Sequence, residues 1–497
     1  MKEPFKERVL EIIPGFLVWV TLLSVIFFSF LAPLGVIYFI IAFDVYWVLR
    51  ILYMLIYVLV SWWRYQRYSR TDWFTEVKQL EKNYQDYYHL IFLPTYTEPY
   101  SVVEKPLLAI EQSNYDLKKF IIVLAGEERD EENFLSIADE LKHKYADKFF
   151  HFLITIHPKD VPGELPGKGS NINYAGRQAQ QLIDELNLDY SKIIVSSFDI
   201  DTCVHPQYFA CLAYHYLTHP NPTRASYQPI AIYNNNIWQS NPIVRVVASS
   251  TTFWLLTDLA RAQRLFTFSS HSMSFKALVD VGFWDKTIVT EDSRIFLQGL
   301  VRYNGDYETV PMYLPIYMDT VDIGKFWHSL KNQYKQMRRW AWGVEHLPWM
   351  IKQFWFKNGE GRRVPFLKKV YYLWNQGEGV YSWATAPIII LLAGRLPLWL
   401  ATESDRATAL FQNAPHALSL LMRSAMIGLI VIAVLYTLML PVKPKDYPWY
   451  NYLIMILQWF LVPVTLILFG SLPATDAQTR LMLGGRFRLG FWVTEKK

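Results

Sequence analysis

Asp199 and Asp201 stand two residues apart at the end of an apolar run, Lys192–Ser197. On a strand that spacing turns both carboxylates to one face. Hard oxygen ligands so placed suit Mg2+ or Mn2+, cations that bridge diphosphates. D-x-D also occurs in solvated loops, so the pair gains meaning only from its company. Downstream lies Thr290-Glu291-Asp292. One carboxylate there can take the proton of an acceptor hydroxyl as a bond forms. The same triplet also reads as a helix N-cap at Thr290 with acids in the first turn, and such a cap would hold the base in place. Next comes Gln336-Met337-Arg338-Arg339-Trp340. Spacings of three and four bring Gln336, Arg339 and Trp340 to one helix face. Arginine offers a planar fork to phosphate oxygens, and tryptophan offers a flat face on which a sugar ring can lie. Resting on lipid headgroups is the plainer use of such a basic, aromatic helix. Two loops complete the set. Gly167–Asn173 opens into a helix and can bind phosphate through its backbone and Lys168, although it lacks the full P-loop pattern. Leu93–Pro99 follows the first apolar run, and its Thr95 and Glu98 can grip a nucleoside or merely form a Pro-bounded turn.

The elements that must position these residues follow from hydropathy. His89–Pro94, Phe120–Ala125, His151–His157 and Lys192–Ser197 are short apolar runs of buried-strand type. Helix-like stretches at Ser101–Ser113, Glu131–Tyr145 and Asn171–Leu186 separate them, which predicts an α/β domain with a mainly parallel sheet and ligands at the strands' carboxyl ends. This domain occupies residues 66–325. Apolar blocks flank it at 15–32 and 36–63 before, and near 381–400, 418–440 and 450–472 after. Residues 1–65 therefore hold two transmembrane helices, 326–378 amphipathic helices in the interface, 379–473 the C-terminal spans, and 474–497 a basic tail. Arg64, Arg67 and Arg70 follow the aromatic exit Ser61-Trp62-Trp63 and place the soluble domain on the cytoplasmic side. Five spans put the tail, with Arg480, Arg486, Arg488, Lys496 and Lys497, on the opposite side. Either a sixth crossing exists or the tail departs from the positive-inside rule. Asp44, Arg50 and Arg423 lie within or near apolar blocks, either facing a polar lumen or snorkelling from span ends.

The 497 residues are 52% hydrophobic and 19% charged, as expected of a soluble domain joined to membrane spans. A net charge of +5 gives no electrostatic support for nucleic-acid binding. Cys203 and Cys211 cannot build a disulfide framework or a zinc site and read as buried packing residues of a reducing compartment.

Taken in order, these motifs resemble a membrane-embedded family 2 glycosyltransferase, of the group that includes cellulose, hyaluronan and chitin synthases. The resemblance covers roughly residues 88–345 by motif and the remainder by span layout. It implies a GT-A catalytic domain inserted between N- and C-terminal membrane helices, a nucleotide-diphosphate sugar donor (UDP-sugar foremost) and inversion at the anomeric carbon. Carried over by motif, Asp201 holds the metal with Asp199 nearer the nucleotide, and Asp292 is the base. Gln336, Arg339 and Trp340 border the diphosphate and the acceptor sugar, and Thr95, Glu98 and Lys168 line the nucleotide pocket. The family usually carries an acidic pair after the second strand. Here the chain reads Ala125-Gly126-Glu127-Glu128-Arg129-Asp130, and Glu127 takes that place.

The expected function is elongation of a polysaccharide at the cytosolic face of a membrane, a bacterial inner membrane by type, with export through the spans. A glycan or lipid acceptor and partner synthase subunits are implied. Single-sugar transfer to a lipid is the alternative within the same motif set. A transporter or an inactive synthase subunit is the alternative outside it, and the presence of Asp199, Asp201 and Asp292 argues against inactivity.

Overall fold

The computed structural model describes residues 3–445 and 447–490. Lys496 and Lys497 of the basic tail, and Met1 and Lys2 at the other end, lie outside the described residues. The strands are β1 Tyr88–Pro94, β2 Phe120–Glu127, β3 His151–His157, β4 Ile193–Ser197, β5 Cys203–Val204, β6 Ala225–Tyr233, β7 His271–Ser274 and β8 Glu308–Met318. They form one mixed sheet of order β3-β2-β1-β4-β7-β6-β8-β5. β1, β2, β3, β4, β6 and β8 run one way, and β5 and β7 run against them. The domain is therefore GT-A-like, with a mostly parallel sheet.

The first strands are continuous apolar runs because both of their faces are covered. Ile91 and Leu93 pack with helices Tyr100–Glu111, Glu131–Tyr145 and Tyr208–Thr218, while Leu90 and Phe92 pack with Lys168–Glu185 and Glu291–Arg302. The far half of the sheet is buried as well, but β6 and β7 carry polar side chains inside it. Ser226 bonds Tyr307 (2.7 Å), Ser196 bonds Ser272 (2.8 Å), and Gln228 accepts the Phe268 N–H (2.6 Å). Satisfied hydrogen bonds let these side chains sit inside, and they hide the strands from a hydropathy reading.

Four helices are long and apolar enough to cross a membrane: Phe5–Leu31, Pro33–Arg70, Ala409–Met439 and Tyr450–Leu483. A fifth candidate is broken, Phe366–Leu391 bending by 45° into Ala393–Leu400. No sixth is found among the described residues. Expected boundaries at 65/66, 378/379 and 473/474 fall inside the helices Pro33–Arg70, Phe366–Leu391 and Leu472–Leu483, because amphipathic residues continue each helix past its apolar stretch. The 38 residues of Pro33–Arg70 extend about 57 Å, nearly twice the ~30 Å hydrocarbon core. Its C-terminal half reaches the α/β domain, where Ser61 Oγ donates to the Leu256 carbonyl (2.5 Å) and Arg64 donates to Tyr313 Oη (2.5 Å).

One expectation about a single residue changes. Cys211 is buried but Cys203 is only partly so, because β5 is a two-residue edge strand. Arg50, within the candidate span Pro33–Arg70, forms a bidentate pair with Glu378 of helix Phe366–Leu391.

Candidate active site

One cleft opens at the carboxyl ends of β1, β2, β4, β6 and β8. It is lined by Thr95, Glu98, Glu127, Lys168, Asp199, Asp201, Glu291, Asp292, Gln336, Arg339 and Trp340. The structure thus gathers every residue the sequence singled out for the site, although several stand differently from expectation.

Asp199 and Asp201 do not share a strand face. β4 ends at Ser197, and the pair lies in the turn beyond it, closed by the Thr202 N–H donating to the Asp199 carbonyl (2.9 Å). The two carboxylates have different partners. Asp199 receives Lys168 Nζ (2.7 Å) and the Ser269 hydroxyl. Asp201, 1% exposed, receives the Asp319 N–H (3.1 Å). Asp319 is itself buried and pairs with Lys105 (3.1 Å).

Lys168 begins the helix Lys168–Glu185, entered through Gly167 at φ 143°, a backbone conformation that favours glycine. Its ammonium sits between two carboxylates, donating to Asp199 (2.7 Å) and to both oxygens of Asp292 (3.0 Å each). Burial acts against its charge, but Asp199, Asp292 and Glu291 outweigh burial and hold it protonated.

Glu291 and Asp292 begin the helix Glu291–Arg302 and behave oppositely. Glu291 is buried, and burial, reinforced by neighbouring Asp292, pushes its carboxyl up to about 8 against the pull of Lys168 and Arg339. It is neutral at pH 7. Thr290 occupies the N-cap position but makes no capping bond. Its hydroxyl donates instead to Glu345 Oε1 (2.8 Å).

The segment Thr267–His271, which no spacing pattern marked, ties these groups together. Thr267 Oγ1 donates to the Asp292 carbonyl (2.5 Å), Ser269 to the Asp199 carboxylate, and Ser270 Oγ accepts the Asp199 N–H (3.1 Å). Ser270 adopts φ 60°, a strained conformation for a side-chain-bearing residue. His271 Nδ1 lies 3.7 Å from Asp292, and burial pushes the ring down to about 4, so it faces the carboxylate uncharged.

Gln336, Arg339 and Trp340 come from helix Phe326–Ala341. Trp340 packs on Tyr233 (6.0 Å between centroids) and Phe268 (5.7 Å). Arg338 points the other way, to Asp476 (2.8 Å) on the helix Leu472–Leu483. Arg339 has no carboxylate partner among the described residues and lines the cleft. On the opposite wall Glu98 accepts from Thr95 Oγ1 (2.7 Å) and the Tyr96 N–H (2.6 Å). Glu127, expected to grip a base, is taken up by Arg129, whose guanidinium lies 4.5 Å from the Tyr96 ring centroid. The Glu127 carboxylate is thereby engaged within the wall, beside Tyr96.

Beyond the Gln336–Trp340 segment, the chain returns to brace the Asp292 helix. Glu345 accepts from Thr290 and from Trp342 Nε1 (2.9 Å). His346 accepts from Arg294 Nε at Nδ1 (3.2 Å) and meets Ser293 Oγ at Nε2 (2.8 Å). Arg294 also pairs with Asp285 (3.2 Å) and lies 4.5 Å from the Trp349 ring centroid.

For a divalent cation the donors are the Asp199 and Asp201 carboxylates. Among the described residues no cluster of three or more His, Cys, Asp or Glu is placed to hold a metal. Two carboxylates fit Mg2+ or Mn2+ that completes its shell with substrate phosphates.

Residues 194–472 match the family model described as Glycosyl transferase family group 2. No curated protein matches the chain. Among solved structures it is similar to the mannosyltransferase PcManGT from Pyrobaculum calidifontis in complex with GDP-Man and Mn2+ (13% identity, 86% of this chain and 99% of that one, TM-score 0.41). It is also similar to S. aureus TarS 1-349 in complex with UDP-GlcNAc (11% identity, 76% and 91%, TM-score 0.37).

The brace makes a direct prediction. Glu345→Ala strips acceptors from Thr290 and Trp342, at a cost of about 1–3 kcal/mol for orphaned buried donors. We expect a lower thermal midpoint and a turnover more than about tenfold lower, with the donor KM within about threefold of wild type; unfolding scans and initial rates of sugar transfer check this.

Proposed function

We infer the reaction from a premise the match supplies: this chain belongs to glycosyl transferase family group 2, and it is a glycosyltransferase. The reading we propose is inverting transfer from a nucleotide-diphosphate sugar to the terminal hydroxyl of a growing glycan, at the cytosolic face of a bacterial inner membrane. The observation that carries it is the position of Lys168 between Asp199 and Asp292, which joins a donor-side carboxylate and a base-side carboxylate through one cation.

In this reading Asp292 removes the acceptor proton, and the acceptor oxygen displaces the nucleoside diphosphate from the anomeric carbon in one step. Glu291, neutral at pH 7, is not the base but keeps a second negative charge out of the site. Lys168 passes from Asp292 to the entering phosphates, which frees the base, and Arg339 faces the same phosphates. Trp340, fixed by Tyr233 and Phe268, is the platform for the acceptor sugar. Mg2+ or Mn2+ held by Asp201 and Asp199 together with the donor's phosphates would neutralise charge on the leaving diphosphate. Tyr96 and Arg129 are the wall for the base. The continuous helix Pro33–Arg70 and the Arg338–Asp476 pair hold the cleft against the membrane helices, which suits a product handed to the spans.

Detergent-purified protein offered labelled UDP- and GDP-sugars with Mn2+ tests the function. A long product from one donor supports elongation; a single sugar on added lipid replaces it with lipid glycosylation; no transfer from any donor counts against the reading. The carboxylate roles have their own test. Asp292→Asn should lower turnover by about 10²–10⁴, whereas Glu291→Gln, which mimics the neutral acid, should keep at least roughly a third of the wild-type rate at pH 7. Because the Glu291 carboxyl titrates near 8, wild-type activity should fall as pH rises through that value and the Glu291→Gln profile should not.

A further inference from the structure

A second charged cluster lies away from the cleft, where the helix Pro33–Arg70 meets the catalytic domain. Arg50 pairs with Glu378 and lies 4.9 Å from the Trp47 ring centroid. From the domain side come Arg261, paired with Asp258, and Arg264, whose Nε stands 3.8 Å from the same carboxylate. Arg264 is within electrostatic reach of Arg50 and Glu378. Three guanidinium groups thus face the Asp258 and Glu378 carboxylates, which leaves one positive charge unmatched in the cluster. Two donors here are buried without a hydrogen-bond partner, Arg264 Nε and Trp47 Nε1. The Arg264 side chain as a whole is 23% exposed, so its guanidinium can meet an anion from outside.

Depth decides what that anion is. Arg50 follows Pro33, the start of the helix, by about 25 Å of axial rise, close to the far edge of a ~30 Å hydrocarbon core. Tyr53 and Tyr371, 44% and 40% exposed, stand beside the arginines. Half-exposed tyrosines at this level are the residues of a membrane interface. An anion arriving here comes with acyl chains beside it.

We propose that Arg264, Arg261 and Arg50 form a binding site for the phosphate of an anionic membrane lipid. None of these residues lines the catalytic cleft, so the site is independent of the transfer reading and rests only on the membrane placement of Pro33–Arg70. Arg264, whose one ion pair is the loosest of the three at 3.8 Å and whose side chain is partly exposed, is the residue on which lipid selectivity depends.

The test is lipid binding by the full chain in detergent, measured by native mass spectrometry with dioleoyl phosphatidylglycerol, dioleoyl phosphatidylcholine and inorganic phosphate. We expect phosphatidylglycerol to bind about tenfold or more tightly over phosphatidylcholine, the effect of roughly one charge-assisted contact. Arg264→Gln should bring the two lipids within about threefold, and Arg264→Lys, which keeps the charge, should retain most of the preference. Equal binding of both lipids to the wild type, or an undiminished preference in Arg264→Gln, overturns the proposal. Millimolar inorganic phosphate displacing the lipid completely overturns its lipid source. If Arg264→Gln fails to fold, the Arg264→Lys and wild-type preferences decide, and a wild-type preference below threefold rejects the site.

Discussion

The ammonium of Lys168 is the interaction on which the site depends. Burial disfavours its charge, yet the carboxylates around it outweigh that tendency. Asp199 arrives from the turn after β4, Asp292 from the start of a helix nearly a hundred residues later, and Lys168 from the helix after β3. Without the cation two carboxylates would face each other across a partly dry cleft, with Glu291 behind them. With it they are held in place, and Glu291 alone takes the neutral form. The charge state of the site is therefore fixed by its own residues.

Around that centre the fold supplies rigidity from two directions. The Thr267–His271 segment clasps Asp199 and Asp292 from the sheet side, at the expense of a strained Ser270. The Phe326–Ala341 helix closes the other side and is itself fixed twice. At its entry Asp322 accepts from the Gly324 N–H (2.8 Å), Ser329 Oγ (2.8 Å) and Asn241 (2.7 Å at Nδ2). Near its exit Arg338 pairs with Asp476 of the candidate membrane span Tyr450–Leu483. Movement of the membrane helices would thus be felt at Gln336, Arg339 and Trp340.

Much of this was legible in the sequence, and what was hidden was hidden for physical reasons. β1 to β4 were readable because strands covered on both faces are continuously apolar. β6 and β7 were not, since Ser226, Gln228, Ser272 and Ser274 are buried polar residues whose partners lie far along the chain, and in β8 Pro311 and Pro315 interrupt an otherwise apolar run. The site residues with a spacing signature all line one cleft. Their local geometry was less accessible: the D-x-D spacing implied a shared strand face, but the strand stops at Ser197. The Thr290 hydroxyl suited a cap, but Glu345 competes for it from 55 residues away. His271 and Asp319 had no periodic signal at all, because the contacts that tie them to the site, His271 with Asp292 and Asp319 with Asp201 and Lys105, are long-range. The bridging role of Lys168 belongs to the same class: a loop lysine reads as a phosphate ligand, and only the fold brings two carboxylates to it.

Calorimetric titration of UDP and GDP with Mn2+ into the wild type and Lys168→Met tests this account most directly. Our account predicts that Lys168→Met weakens nucleotide binding by about tenfold or more, the loss of one charge-assisted contact, while the variant stays folded. A dissociation constant unchanged by the substitution would contradict it, because Lys168 would then be a structural strut between Asp199 and Asp292 and not the group that receives the donor.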